Sequence, residues 1–210
     1  MVAAEMAVTE DGLGLVEAAA HRVCHDLSGL VGTLIGTLEL AEEEPDGAEA
    51  LAVAGEAART LGGRLRLLRT AWGGTAGRLD PPEIAELLSH AAGYPRTRTD
   101  WSAVGRAQFS EPVSRLLLNL ALVAAGSLPR GGVVRVSGAA DGTLHIALEG
   151  LNGRWPAPWV DAVARGKPPA VDDSRDVGLM LAWRFAEADG IGLSWEHGGV
   201  DQPAVLVVRP

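Results

Sequence analysis

The chain is poor in cysteine, in basic residues and in long uncharged apolar runs, and each shortage excludes a class of protein. Its 210 residues include one cysteine, Cys24, which rules out an intramolecular disulfide and a cysteine-based zinc site. Lys and Arg number 18 against 27 Asp and Glu, and the formal net charge of −9 argues against nucleic-acid binding. No apolar run approaches the roughly 20 residues of a membrane helix, and the acidic N-terminus does not resemble a signal peptide. We therefore expect a cytoplasmic protein with no nucleic-acid or membrane partner.

Two long helical patterns occupy the first third of the chain. From about Leu13 to Glu44, one apolar stripe repeats at steps of three or four: Val16, Ala20, Val23, Leu27, Leu30, Leu34 and Leu38. After a turn containing Pro45, a heptad pattern runs from about Ala48 to Trp72. The short turn predicts an antiparallel hairpin. Because two hairpins bury their stripes by pairing into a four-helix bundle, we expect a homodimer. The alternative is that the hairpin packs only on the rest of its own chain.

The second part of the chain alternates between helical and strand patterns after a linker at 73–82. We predict helices at 82–92, 111–127, 155–166 (or a loop) and 175–188, and strands at 96–101 (an edge strand), 132–139, 143–149, 191–197 and 204–209. The turns Asp141-Gly142 and Gly198-Gly199 connect two pairs of these strands as hairpins. The pattern indicates an α+β fold, with the helical hairpin in residues 1–76 and an α/β sandwich in residues 77–210.

One histidine lies on an unusually bare helical face. At 100° per residue, His25 falls about 140–200° from Val23, Leu27 and Leu30, and so points away from the apolar stripe. Its face is shared by His21, Gly29, Gly32 and Gly36. Glycine costs a helix roughly 1 kcal/mol per site relative to alanine. The pattern therefore predicts a surface that another protein approaches closely.

The segment from His21 to Leu27 reads His-Arg-Val-Cys-His-Asp-Leu, and Val31-Gly32 follows it. Together with the hairpin and the sandwich, it resembles the ChpT-type histidine phosphotransferases, over about residues 12–209. Their layout is similar to that of sensor histidine kinases, with a dimerisation hairpin followed by an ATP-binding (Bergerat) fold. The resemblance implies that His25 is the phosphorylated residue. The family usually has Ser-Pro where this chain has Gly29-Leu30, so we expect a straighter helix below His25.

The nucleotide motifs of histidine kinases are damaged in this chain. The kinase motif Asn-Leu-x-x-Asn-Ala aligns with a segment that keeps Asn119 but has Val123 at the second asparagine, and valine has no oxygen for Mg²⁺. The segment 149–153 lacks the aspartate and one glycine of the nucleotide loop, and 176–181 keeps only a glycine-leucine remnant. We therefore expect no cofactor bound by this chain, with Mg²⁺ supplied by a partner receiver domain.

These residues define the expected chemistry. His25 would accept a phosphoryl group from a receiver aspartate of a hybrid histidine kinase and pass it to a response regulator. Asp26 would hydrogen-bond the ring or tune its basicity, or else form an exposed ion pair with Arg22. We expect partner docking at His21, Arg22, Ser28, Gly29, Gly32, Gly36, Arg59 and Arg66. A metal site at His21 and His25 lacks a third ligand, and Cys24 is expected to fill the core. The alternatives are an ATP-dependent histidine kinase and a non-catalytic adaptor with a kinase-like fold.

Overall fold

The fold joins a long helical hairpin to a five-stranded sheet against which four further helices pack. The computed structural model describes residues 10–43, 47–74, 76–91, 94, 96–105, 108–169, 177–196 and 204–210. In chain order the elements are α1 (Glu10–Glu43), α2 (Ala48–Trp72), α3 (Pro81–Leu88), β1 (Thr97–Ala103), α4 (Glu111–Gly126), β2 (Gly132–Gly138), β3 (Leu144–Glu149), α5 (Ala157–Arg165), α6 (Val177–Ala188), β4 (Gly192–Glu196) and β5 (Val205–Arg209). The expected α+β class, a helical hairpin followed by a sandwich, is confirmed.

The hairpin follows its sequence pattern closely. Helix α2 has the predicted ends, and Gly73 closes it by donating its N–H to the Arg69 carbonyl at 2.8 Å. Helix α1 begins about a turn earlier than predicted, at Glu10, and its described part ends at Glu43. The predicted turn at Glu44, Pro45 and Asp46 lies outside the described residues. In the described part of the chain, α1 packs mainly along α2.

The apolar surface of α1 is only partly covered by its own chain. Val23, Leu27, Leu30 and Leu34 are half-buried against α2. A neighbouring stripe at the same helical spacing is exposed: Leu13, Val16, Ala20, Cys24, Val31, Ile35 and Leu38. The expectation that Cys24 fills the core is therefore wrong for the single chain, because this thiol lies on the uncovered stripe.

One face of helix α2 packs in the hydrophobic core, and another is exposed. Leu67 and Ala71 are fully buried in the same hydrophobic core as α3 and α4, so the end of this helix packs against the second part of the chain. Leu51 and Leu65, which share one heptad position, are exposed. The hairpin is thus fixed to the sandwich at one end and leaves an apolar line uncovered along its length.

The sheet has the order β1-β2-β3-β5-β4. Strand β1 pairs in parallel with β2 at the edge, as expected for an edge strand, and the other pairings are antiparallel. The β2–β3 connection includes the predicted Asp141-Gly142 turn, with Gly142 at positive φ. The predicted turn at Gly198-Gly199 lies outside the described residues.

Helix α3 is shorter than predicted at its C-terminal end. The helix predicted for 82–92 ends at Leu88, because the next N–H groups bond three residues back and tighten the chain into turns; His90 donates to the Leu87 carbonyl at 3.1 Å. Asp80 caps the same helix through a reciprocal pair of bonds with Glu83. Of the helix predicted from 175, the described part begins at Val177.

Alternating residues divide the sheet into a buried and a solvated face. Val134 and Val136 on β2 and Ile146 on β3 are buried beneath the helices. On the opposite face, Arg135 bonds Glu149 through Nε and Nη2 at 2.6 and 2.9 Å and also pairs with Asp100. No helix among the described residues has the length and apolar character needed to cross a membrane.

Candidate functional site

His25 lies on the open face of α1. Its side chain is 76% exposed, and the helix presents it away from the face that packs on α2. Helical geometry accounts for this, since His25 lies about half a turn from the half-buried Leu27 and Leu30. The predicted orientation of this imidazole is confirmed, and a partner protein can approach it directly.

Asp26 lies beside the ring and is held by a salt bridge. Its Oδ1 atom lies 3.4 Å from Nδ1 of His25, and its Oδ2 accepts a 3.0 Å hydrogen bond from Nε of Arg22 one turn earlier. The Asp26 side chain is only 15% exposed. An ionised carboxylate can only accept hydrogen bonds, so this contact favours the proton on Nδ1. The other ring nitrogen, Nε2, then carries the lone pair that a nucleophile needs.

The predicted docking glycines line open space. Gly29 and Gly32 are exposed and Gly36 is half-buried. A Cβ added at any of the three would meet nothing within 4 Å. The packing of the chain itself therefore does not require glycine at these positions.

Two other predicted docking residues lie on the same part of α1. Ser28 is exposed, and its hydroxyl donates to the Cys24 carbonyl at 2.6 Å, a bond back into its own helix. His21 is exposed one turn before His25. Both lie within two turns of the candidate phosphoacceptor.

The two predicted docking arginines of α2 are exposed and ion-paired. Arg59 lies 3.6 Å from Glu56 on its own helix. Arg66 reaches Glu86 on α3 at 3.1 Å, so it joins the hairpin to the second part of the chain. Exposed pairs of this kind contribute little to stability, and both guanidinium groups remain accessible to an acidic partner surface.

Arg64 is not among the site residues predicted from the sequence. Arg64 is half-buried and donates from Nε to the His90 carbonyl, just beyond α3, at 2.5 Å. Burial lowers the pKa of its guanidinium, Asp26 opposes that shift and Arg22 adds to it. No local pattern marks this contact, because it joins residues 26 positions apart.

A cavity of about 370 Å³ lies between the hairpin and the sandwich, directly beside this site. Among the described residues, the charged side chains that line it are Arg22, Asp26 and Arg64. Asn119, Val123 and Gly178, from two of the segments aligned with kinase nucleotide motifs, line the other side. The damaged nucleotide region and the candidate phosphoacceptor site therefore share one cavity.

Asn119, the retained motif residue, is bonded to protein atoms at both ends of its amide. Its Oδ1 accepts from the Trp72 indole at 2.9 Å, and its Nδ2 donates to the carbonyls of Ala71 at 3.1 Å and Arg115 at 2.9 Å. The side chain is buried. In the described part of the chain, no group of three or more His, Cys, Asp or Glu side chains is arranged to hold a metal ion.

Comparison with known proteins places the chain in a family. The family described as the histidine phosphotransferase C-terminal domain matches residues 81–201, more than half of the chain. The chain belongs to the histidine phosphotransferase family. It is 28% identical over 193 residues to the protein phosphotransferase ChpT of Brucella abortus (strain 2308), covering 89% of this chain and 92% of that relative.

Solved structures include similar folds. The structure of a bacterial phosphotransferase matches with a TM-score of 0.74 and 25% identity, covering 96% of this chain and 98% of the other. The histidine kinase domain of a blue-light-activated kinase from Erythrobacter litoralis matches with a TM-score of 0.43 and 13% identity, over 85% and 94% of the two chains. The family match, the ChpT relative and the bacterial phosphotransferase structure confirm the resemblance inferred from the sequence. The family match begins at α3, so the roles assigned to residues of the histidine phosphotransferase hairpin remain predictions.

Proposed function

We propose that this histidine phosphotransferase carries phosphoryl groups between receiver domains on Nε2 of His25. It accepts the group from a receiver aspartate of a hybrid histidine kinase and passes it to a response regulator. The observation that carries the proposal is the exposed imidazole whose Nδ1 faces the Asp26 carboxylate at 3.4 Å. Similarity to a protein phosphotransferase over most of the chain supports the same reaction class.

Phosphoryl transfer requires little from this chain beyond the oriented imidazole of His25. The Nε2 lone pair attacks the phosphorus of the aspartyl phosphate, an N–P bond forms, and the P–O bond breaks to release the receiver's carboxylate. The Nδ1 proton stays in place, where the carboxylate of Asp26 stabilises the positive charge that the ring gains. Mg²⁺ bound by the receiver would neutralise charge on the transferring group. Return of the phosphoryl group follows the same path in reverse.

We propose that the chain itself does not use ATP. Val123 faces the cavity where a kinase would have its second asparagine, and Asn119 is already bonded at both ends of its amide. A metal bound there would have to displace these bonds. Residues 77–210 would then form a degenerate ATPase-like domain, and residues 1–76 the phosphotransfer and dimerisation hairpin, in a protein acting in the cytoplasm.

We also propose that the exposed stripe of α1 is covered by a second copy of the chain. Val16, Ile35 and Leu38 are exposed along α1, and Leu51 and Leu65 along α2. These positions recur at the spacing of a helix-bundle seam. Pairing two hairpins would bury Cys24 and the exposed apolar residues of both helices. The face of α1 that carries His25 would stay open to receivers.

One labelling experiment tests the phosphotransfer proposal. Wild type and His25→Ala are incubated with radiolabelled ATP alone, and then with receiver domains already phosphorylated by their own kinases. We expect label on the wild type only from a receiver, and none on His25→Ala. Label from ATP alone would indicate a kinase. Absence of label with every receiver of the source genome would indicate a non-catalytic adaptor, and equal labelling of His25→Ala would point to His21.

A further inference from the structure

Arg64 connects the second part of the chain to the cavity that Asp26 lines. It extends from α2 to the cavity that Asp26 also lines, and its Nε is fixed by the His90 carbonyl. The neighbouring residue, Gly63, permits this approach: a Cβ there would lie 2.3 Å from Nδ1 of His90. The location of the Arg64 guanidinium therefore depends on the end of α3 as well as on its own helix.

The charges that the described residues bring to this cavity do not cancel. Arg22, Asp26 and Arg64 are its charged lining residues within the described chain. Arg22 is paired with Asp26, whereas the one bond seen for Arg64 among the described residues goes to a neutral carbonyl. Arginine stays protonated even when it is partly buried. Among the described lining residues, one positive charge is thus left on Arg64, in the cavity that Asp26, the chain neighbour of His25, also lines, and partial burial makes this position costly for a charge.

A phosphoryl group on His25 would add the opposite charge. A phosphoryl group brings roughly 1.5 to 2 negative charges at neutral pH, and Asp26 alone would repel it. Because the charge of Arg22 already balances that of Asp26, the charge of Arg64 remains to attract the phosphoryl group. We propose that Arg64 supplies the positive charge that stabilises the phosphorylated state of His25.

This inference rests on the proposed phosphotransfer through His25, and it is tested by the equilibrium between the two phosphorylated species. Phosphorylated receiver is mixed with wild type, Arg64→Met or Arg64→Lys, and the phosphoryl group is quantified on each protein at equilibrium. Met keeps the apolar stem and removes the charge, whereas Lys restores the charge. The control is Arg165→Met, an exposed arginine of α5 paired at 3.5 Å with Asp161.

We expect Arg64→Met to lower the ratio of phosphorylated phosphotransferase to phosphorylated receiver by about 3- to 10-fold, the size typical of one partly screened charge pair. Arg64→Lys should stay within about twofold of the wild type, as should Arg165→Met. If Arg64→Met matches the control, the inference is overturned. An equal loss in the Met and Lys variants would overturn it too, because the bond to His90 would then matter rather than the charge.

A second pair of variants keeps Arg64 in place. Gly126 lines the same cavity from the exposed end of α4, and a Cβ there would meet nothing within 4 Å. Gly126→Asp adds a negative charge and should lower the ratio, while the neutral Gly126→Asn should not. Equal ratios for these two variants would contradict the inference even if Arg64→Met failed to fold. A wild type that accepts no phosphoryl group from any receiver would instead overturn the proposed function itself.

Discussion

The glycines beside His25 offer the sharpest test of the docking surface, because stability and activity should change in opposite directions. Gly29 and Gly32 lie in the interior of α1, and a Cβ at either would meet nothing within 4 Å. Each Gly→Ala substitution should therefore stabilise the helix by about 0.5–1 kcal/mol. For a chain of this length, the double variant should unfold about 2–8 °C higher.

The same methyl groups should obstruct a receiver that packs closely on this face. Overpacking a fitted contact costs about 1–3 kcal/mol, equivalent to roughly 5- to 150-fold in affinity. The assay is the KM and maximal rate of phosphoryl transfer from a phosphorylated receiver, measured beside thermal unfolding at one protein concentration. We expect a higher KM together with a higher melting temperature. Structural damage would instead lower both stability and activity.

A matched control lies on the same helix and the same face. Gly14 is exposed and also has open space at its Cβ position. It lies eleven residues before His25, about 16 Å along the helix axis at 1.5 Å per residue. Gly14→Ala should leave transfer unchanged. The docking hypothesis is refuted if the Gly29→Ala, Gly32→Ala double variant is stabilised and its KM stays within twofold of the wild type.

Three further predictions address assembly, the helix junction and the sheet. Ile35→Glu should convert a dimer into a monomer, as measured by light scattering. Leu40→Glu is the control and should leave the dimer intact, because Leu40 faces away from the exposed stripe of α1. The two side chains are almost equally exposed, at 51% and 52%. Asn119→Ala should lower the free energy of unfolding in urea by about 2–4 kcal/mol, because it leaves the half-buried indole N–H of Trp72 and a helix-end carbonyl unpaired. An unchanged urea midpoint would contradict this. The hydrogen bond from Arg135 lowers the pKa of Glu149 below its ordinary 4.5, so the stability lost in Glu149→Gln should be seen at pH 7 and should shrink as the pH falls below 4.5.

Periodicity predicted the hairpin well because local rules set its ends. A closing glycine at Gly73 ends α2, and apolar residues repeating every three or four positions identify both helices. The Asp141-Gly142 turn likewise identified the β2–β3 hairpin from two adjacent residues. The orientation of His25 also followed from helical angles alone. These features depend on residues that are close in sequence.

The features that were missed depend on contacts between distant elements. Cys24 was placed in the core because α1 carries two adjoining apolar stripes, and one sequence does not tell which of them its own chain covers. The role of Arg64 depends on the packing of α2 against the end of α3, where Gly63 makes room for His90. A half-buried arginine next to a glycine is a weak sequence signal, since solvated arginines are common on helices.

Asn119 stands at a position of the kinase nucleotide motif, but in this structure its side-chain amide is bonded to protein atoms. A side-chain oxygen that coordinates Mg²⁺ must lie at about 2.0–2.1 Å in near-octahedral geometry, but here Oδ1 accepts from Trp72 and Nδ2 occupies the Ala71 carbonyl. Turning the amide toward a metal would leave the last turn of α2 unsatisfied. This junction holds α2 against α4, on the same stretch of helix from which Arg64 reaches His90. If the chain does not use ATP, as we propose, Asn119 would be kept because it helps the second domain hold the phosphoacceptor hairpin in its transfer geometry.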